Sequence, residues 1–483
     1  IADEYSNNLT MNKAWYFLDK SYQHFFPHIE EPDIYSAFNS QFEGDAESSE
    51  RTVSFKYLDE RQYPFLHRVD TATDVLGPFF KKDSTPPNIV ILLVEGLGRA
   101  FTNQGAYLGN FTPFIDSLSG HSLYWQNFLS EGGRTFAVLP SVLGSLPFGK
   151  NGFNELGDNM PKHLSLLNIL HNNGYNCAFY YGGDAKFDNM GQFFHINGIQ
   201  QVNDENNFPP GYQKMPLTNG FTWGYGDKEL FRRYLSTNNP QPYLNVVLTV
   251  STHNPFFINE QEHYLQKFEQ RMQELQMPEN IREERRNYKY QFASILFLDD
   301  AVRSFIQAYR QRPDFQNTVF IITGDHRMPE IPMTTKIDRY HVPLIIYSPR
   351  LNRTARFSAI STHFDITPSL LNWLHHDTHI AIPAAASWMG SGLDTARRFR
   401  NIHAYPLMQT KTEIADFVMG DYLLNNGTLF QISPDMDLIS QNDPEKSALL
   451  QAAFSQFMNR NNLFIKNPAS ILPDSLLRKY APK

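Results

Sequence analysis

The 483-residue chain is 41% hydrophobic, enough to build one large core with a smaller satellite and too much for a disordered polymer. Its net charge of −8 is spread without long blocks of one sign, which argues against a nucleic-acid partner, and its one cysteine, Cys177, excludes an internal disulfide framework or a cysteine metal cluster. No apolar run reaches the roughly 18 residues that a spanning helix requires; because the sequence starts at Ile1 rather than methionine, a membrane-anchoring region is expected outside it.

Residues 1–85 show no sheet pattern and predict a helical lead-in, with an amphipathic helix over residues 15–26 and a loop over 43–50. The apolar run Asn88–Val94 follows Pro86-Pro87 and ends on Glu95-Gly96, which predicts a strand buried on both faces, as in a parallel sheet. A carboxylate at the end of such a strand needs a cation or a hydrogen-bond network, and the carboxyl ends of strands are where open α/β sheets hold their ligands. A helix over 112–118 with Pro113 in its first turn and a strand over 123–129 come next.

The stretch Glu131-Gly-Gly-Arg-Thr135 reads as a glycine loop delivering Thr135 to the start of a helix whose apolar face is Phe136, Leu139, Leu143 and Leu146; Pro140 implies that the regular helix begins a few residues after Thr135. A helix over 163–173, a strand over 177–181 and a polar loop over 182–189 follow, then a helix at 227–235 and a strand at 243–250 leading to His253. The charged stretch 279–312 predicts one long helix with a solvated face. A second buried strand runs from Thr318 into Gly324-Asp325-His326, a further strand over 342–347 has His341 at its entrance, and Asp365 caps a helix to about 374. His375, His376 and His379 are expected to be a solvated surface cluster rather than a metal site. Beyond about residue 400, runs at 416–419, 422–424 and 428–432 with an Asn425-Asn-Gly427 turn predict a small antiparallel sheet and a closing helix. The expected fold is α/β, a mostly parallel central sheet with helices on both faces plus a small C-terminal antiparallel element, divided as residues 1–85, 86–400 and 401–483.

Glu95, Thr135, Asp325 and His326 fall at separate strand or helix boundaries, and two carboxylates, a hydroxyl and an imidazole make a donor set for one divalent metal, Mn²⁺ or Zn²⁺ before Mg²⁺, with a second metal possible. A hydroxyl attacks at neutral pH only when its proton is drawn off, and a neighbouring dication is one recognised way to do so. Taken singly, Glu95 also reads as a salt-bridge partner, Thr135 as an N-cap and the Asp325-His326 pair as part of a turn.

Together these pieces, with Tyr-Tyr-Gly-Gly-Asp184-Ala-Lys-Phe-Asp-Asn-Met190, Trp223-Gly-Tyr-Gly-Asp, Ser-Thr-His253-Asn-Pro-Phe and His341-Val-Pro-Leu, resemble the alkaline phosphatase superfamily. The branch is that of lipoteichoic acid synthases, phosphoglycerol transferases and phosphoethanolamine transferases, and the likeness covers residues 88 to 374. It implies that Glu95, Thr135, Asp325 and His326 bind the metal, that Thr135 carries a covalent phospho-enzyme intermediate, and that His253 and His341 lie by the substrate phosphate or a second metal. Asp188 and Asn189 fall in the substrate-binding stretch. Asp188 and Met190 stand where lipoteichoic acid synthases carry a tryptophan and an arginine for glycerol phosphate, which leaves the head group open.

His253 could serve as an acid–base group, whereas His341 reads equally as a structural hydrogen bond at a strand start. The resemblance implies a phospholipid donor with a phosphoglycerol or phosphoethanolamine head group, a cell-envelope glycan or lipid acceptor, and a membrane-anchored, extracytoplasmic setting. Sulfatases need a Cys or Ser that becomes formylglycine, and Thr135 cannot undergo that conversion. Two other readings stay open: a phosphodiesterase or sulfuric-ester hydrolase of the same fold, and a non-catalytic binding module for anionic envelope polymers.

Overall fold

The computed structural model describes residues 53–480, so the expected helix over 15–26 and loop over 43–50 lie outside the described residues. Within the stretch expected to be a helical lead-in, β1 (Tyr57–Asp59) and β2 (Tyr63–Arg68) instead pair antiparallel. Phe65 and Leu66 of β2 are buried in the main core, which is what draws this segment into strand form.

The central sheet contains β3 (Asn88–Val94), β4 (Leu123–Leu129), β5 (Asn176–Tyr181), β6 (Gln201–Asn203), β7 (Tyr243–Leu248), β8 (Thr318–Gly324), β9 (His341–Tyr347), β10 (Ala355–Phe357) and the short β11 (Ser361–Thr362). Their order is β10-β4-β9-β8-β3-β7-β5-β6, with β11 on β4. Every pairing is parallel except the two made by β9, so β9 alone runs against the others. The sheet is thus mostly parallel, as the apolar runs imply.

All residues of β3, β7 and β8 are buried. Along β3 the side chains alternate between two cores, Ile89, Ile91 and Leu93 into one and Val90, Leu92 and Val94 into the other. Helices Val138–Gly144, Leu166–Asn172, Met190–Ile196 and Ile366–Thr378 cover the first face, and Pro113–Ser119, Asp227–Ser236, Gln261–Glu274 and Lys289–Tyr309 cover the second. Truncating one such residue, as in Leu93→Ala, is expected to cost about 2–5 kcal/mol.

The charged stretch after residue 279 is not one helix. It breaks into Glu279–Arg286 and Lys289–Tyr309 at Tyr288, whose φ of −119° and ψ of 27° leave the helical region. His375 and His376 also lie inside the last turn of a helix rather than beyond it; their rings bond the carbonyls of Ile380 and Thr71.

Residues 404–440 form β13 (Ala404–Thr410), β14 (Glu413–Met419), β15 (Tyr422–Asn425), β16 (Thr428–Ile432) and β17 (Leu438–Ser440), after β12 (Ala385–Ala386), which joins β2. This sheet is antiparallel throughout, and Asn426 and Gly427, both at positive φ, make the two-residue turn its sequence implies. β13 was not apparent from the sequence because Pro406 interrupts it, a residue tolerated here because β13 is an edge strand. The helix Pro444–Lys466 closes the chain's last large element. The described residues form one compact unit, and no helix among them is long and apolar enough to cross a membrane.

Candidate active site

β3 and β8 are neighbours in register, Val94 opposite Gly324, so the residues that follow them, Glu95 and Asp325, leave the sheet side by side at its carboxyl edge. Gly96 takes the next step at φ +68°, a conformation that glycine adopts without strain, and this turns its N–H onto Asp325 Oδ1 at 2.8 Å. The backbone N–H of His326 donates to the same oxygen at 2.8 Å. Asp325 Oδ1 therefore holds two donors, while the buried Oδ2 has no hydrogen-bond partner.

Thr135 arrives from the other side. Arg134 is extended, residues 135–137 form a 3₁₀ turn, and the regular helix begins at Val138 with Pro140 in its first turn, where no intrahelical bond is lost. The hydroxyl of Thr135 lies 3.1 Å from Glu95 Oε2 and 3.4 Å from His326 Nε2, and His326 Nε2 is 3.5 Å from Glu95 Oε1 and 3.4 Å from Asp325 Oδ2. All four side chains are buried or nearly so.

Ligand atoms of Glu95, Asp325 and His326 lie within 4.8 Å of one another. His326 Nδ1 faces the Arg327 carbonyl at 3.0 Å, which sets Nδ1 as the donor and leaves the Nε2 lone pair facing the cluster. Burial, then the neighbouring Asp325, pushes the Glu95 carboxyl well above the usual carboxylate range. Two buried carboxylates at this spacing, one with an orphaned oxygen, fit a divalent cation, which would supply the missing charge and the missing partner together.

A cavity of about 470 Å³ opens over this cluster and is lined by Glu95, Thr135 and His326, by His253, and by Asp188. His253 is half-buried; burial holds its imidazole below the ordinary range against the opposing pull of its own bond to the Asn254 carbonyl. Its ring packs 3.8 Å from that of Trp223 and 6.3 Å from Phe187.

Two expected substrate contacts lie elsewhere. His341 is not among the lining residues: its Nε2 meets the Gln126 carbonyl at 2.8 Å, and burial together with Arg99 pushes it down to about 3, so it stays neutral. The structural reading of His341 is the one this geometry favours. Asn189 donates through Nδ2 to the Asn154 carbonyl at 3.1 Å and serves the loop rather than the cavity.

Several lining residues escaped sequence reasoning. Arg134 faces Glu330 at 3.6 Å across the mouth, and Lys411 reaches in from the turn between β13 and β14 to bind Asp188 Oδ1 at 2.6 Å. No local pattern marks Lys411, which lies far along the chain in a short polar turn. Its access comes from the way β13 grips the loop before Thr135: Gly133 N–H donates to the Met408 carbonyl at 3.0 Å and Met408 N–H to the Glu131 carbonyl at 2.9 Å.

Comparison with known proteins bears on the family and the fold. The profile of the Sulfatase family matches residues 87–376, more than half the chain. The chain is 20% identical to the lipoteichoic acid synthase-like YvgJ of Bacillus subtilis over 60% of its own length and 48% of that protein, and 26% identical to phosphoglycerol transferase I of Xanthomonas euvesicatoria over 41% of its own length and 30% of that protein. It thus spans less than half the length of these relatives. The crystal structure of a protein in the alkaline phosphatase superfamily from Vibrio parahaemolyticus superposes with a TM-score of 0.59 at 19% identity, covering 89% of this chain and 94% of the other, which shows a shared fold.

Proposed function

Because the chain belongs to the sulfatase family, we propose that it uses that fold for phosphoryl rather than sulfuryl chemistry, moving a phosphoglycerol group from a phospholipid to a cell-envelope glycan or lipid through Thr135. The observation that carries this reading is the Thr135 hydroxyl, held at the floor of an open cavity within hydrogen-bond reach of Glu95 and beside a buried carboxylate with an unpaired oxygen.

Thr135 Oγ1 attacks phosphorus in line, its bond to phosphorus forms as the bond to the lipid alcohol breaks, and the hydroxyl proton ends on the released alcohol. An acceptor hydroxyl then displaces Thr135, and the acceptor's own proton passes by way of His253 to Thr135 Oγ1. Two displacements give ping-pong kinetics and retention at phosphorus. Glu95, Asp325 and His326, with Thr135, would hold a divalent cation, Mn²⁺ or Zn²⁺ by donor type, which lowers the pKa of a hydroxyl and draws charge from phosphoryl oxygens. His253, kept neutral by its surroundings, accepts the proton of the incoming alcohol in the second displacement. A lipid donor fits an enzyme anchored on the extracytoplasmic side of a membrane.

The test is release of diacylglycerol from phosphatidylglycerol vesicles with added divalent metal. Turnover by the wild-type chain and its loss, by at least a thousandfold, in Thr135→Ala are the expected results. Equal turnover by the variant would remove Thr135 from the reaction, and no turnover by either protein on phosphatidylglycerol, with hydrolysis of a sulfate ester instead, would replace this reading with the hydrolase one.

A further inference from the structure

Among the described residues ten large apolar or aromatic side chains are exposed. Five of them, Phe187, Leu217, Phe221, Phe257 and Tyr290, belong to the cavity rim or to the segments next to it, so this apolar surface is concentrated rather than scattered. Its most prominent part is a finger. Met215 N–H donates to the Gly224 carbonyl at 2.8 Å, Thr218 and Phe221 exchange both backbone bonds at 2.8 and 3.0 Å, and Asn219 and Gly220, at φ 51° and 79°, close a two-residue turn. From Met215 to Gly226 the chain carries no charged residue, and beside the turn Leu217 is 70% exposed and Phe221 52%. A shallow groove joins Phe221, Trp223 and Phe257 to His253, which also lines the cavity over Thr135. Phe187, from the cavity wall, meets the Trp223 ring edge to face at 5.4 Å, and Phe221 does so at 5.2 Å. Finger and cavity rim are one continuous surface.

Resting on the reading that the cavity takes its donor from a lipid, we propose that this finger and its aromatic neighbours dock on the interface of a phospholipid bilayer and seat the cavity mouth at head-group level. The backbone bonds of the finger fix its shape in advance, so Leu217 and Phe221 enter the acyl region with little left to order. Their burial gains the apolar transfer free energy, and no charged side chain between Met215 and Gly226 has to be desolvated with them. Lys186 and Lys289, both exposed and next in sequence to Phe187 and Tyr290, put positive charge at the border of the patch, where it meets lipid phosphates. A stacked glycan fits this surface less well. Leu217, the most exposed of the five, has no ring face to offer, and the Trp223 indole N–H is already given to the Asn254 carbonyl at 2.6 Å.

The deciding measurement is flotation of the full chain with phosphatidylcholine vesicles, which offer an interface but no glycerol or ethanolamine head group to transfer. The wild-type chain is expected to float, and Leu217→Asp with Phe221→Ser to lower the vesicle partition coefficient by about tenfold or more. Should that double variant not fold, Leu217→Asn alone decides in its place, with a smaller loss in the same direction. Phosphatidylcholine brominated in its acyl chains is expected to quench tryptophan emission, and Trp223→Phe to diminish that quenching, a readout that a merely structural role of the finger would not move. A wild-type chain that does not float, variants that float as it does, or quenching unchanged by Trp223→Phe would overturn the assignment. A chain absent from the vesicle fraction but retarded in a gel containing a neutral glucan would give the patch to a glycan instead. Turnover is read separately, on a short-chain phosphatidylglycerol dissolved as monomers. Its failure with flotation intact counts against the proposed reaction alone, and its persistence in a chain that does not float counts against docking alone.

Discussion

At the scale of single residues, the site is defined by what is left unpaired. Asp325 Oδ2 is buried without a partner while Oδ1 holds two N–H donors, and His326 turns Nε2 inward because Nδ1 is engaged. His253 gives a pH prediction whose sign is fixed by its surroundings. Its imidazole titrates below the ordinary 6.5, and the neutral form is the active one, so kcat/KM is expected to hold through neutrality and fall only as pH drops below that value. His253→Gln should lower kcat/KM by about 10²-fold or more and erase this acid limb; persistence of the limb in the variant would place the titration on another group. Glu131 offers a stability test. Burial pushes its carboxyl well above 4.5, against the smaller opposing pull of the Thr362 hydroxyl. The folded chain keeps a proton that the unfolded chain releases, so this residue lowers stability progressively as pH rises above 4.5. Glu131→Gln is expected to flatten the fall of Tm between pH 5 and 8; an unchanged slope would contradict it.

At the scale of elements, legibility followed burial. β3, β7 and β8 were readable because strands covered on both faces must be apolar throughout, and the polar residues that end β3 and β8 stand out against those runs. Thr135 was readable from the glycines before it, and Pro140 placed the helix start where it is found. The break at Tyr288 and the two short N-terminal strands were not, because each is settled by tertiary packing rather than by a local pattern. Lys411 could not be read at all: only the pairing of β13 with the 131–134 loop brings its turn to the cavity. Gly133 is the joint of that contact. A Cβ there would lie 2.8 Å from the Gln409 carbonyl oxygen and 2.7 Å from Arg339 Cδ. Gly133→Ala is therefore expected to cost about 1–3 kcal/mol of stability and to reduce turnover by shifting both Thr135 and Lys411. Thermal melts and kinetics together check this, and a variant with wild-type turnover would show that β13 does not set the position of Thr135.

At the scale of the whole molecule, two cores on opposite faces of one sheet hold β3 and β8 rigidly enough to keep two carboxylates adjacent without a bonding partner for every oxygen. Such a site stores unfavourable electrostatics that a bound cation relieves, so metal and folding should be linked. At a free divalent concentration of 100 times Kd, stability is expected to rise by about 2.7 kcal/mol. Chelation should lower Tm and abolish turnover, and Glu95→Gln with Asp325→Asn should remove the metal dependence of Tm. A melt indifferent to Mn²⁺ and Zn²⁺ would argue against a resident cation. The most direct test of the central claim, that Thr135 takes the transferred group, is mass spectrometry of the protein acid-quenched during turnover of phosphatidylglycerol with divalent metal. A glycerophosphoryl adduct on the peptide containing Thr135, absent from Thr135→Ala, is the expected result; steady turnover with that peptide unmodified, or an adduct on another residue, would contradict it.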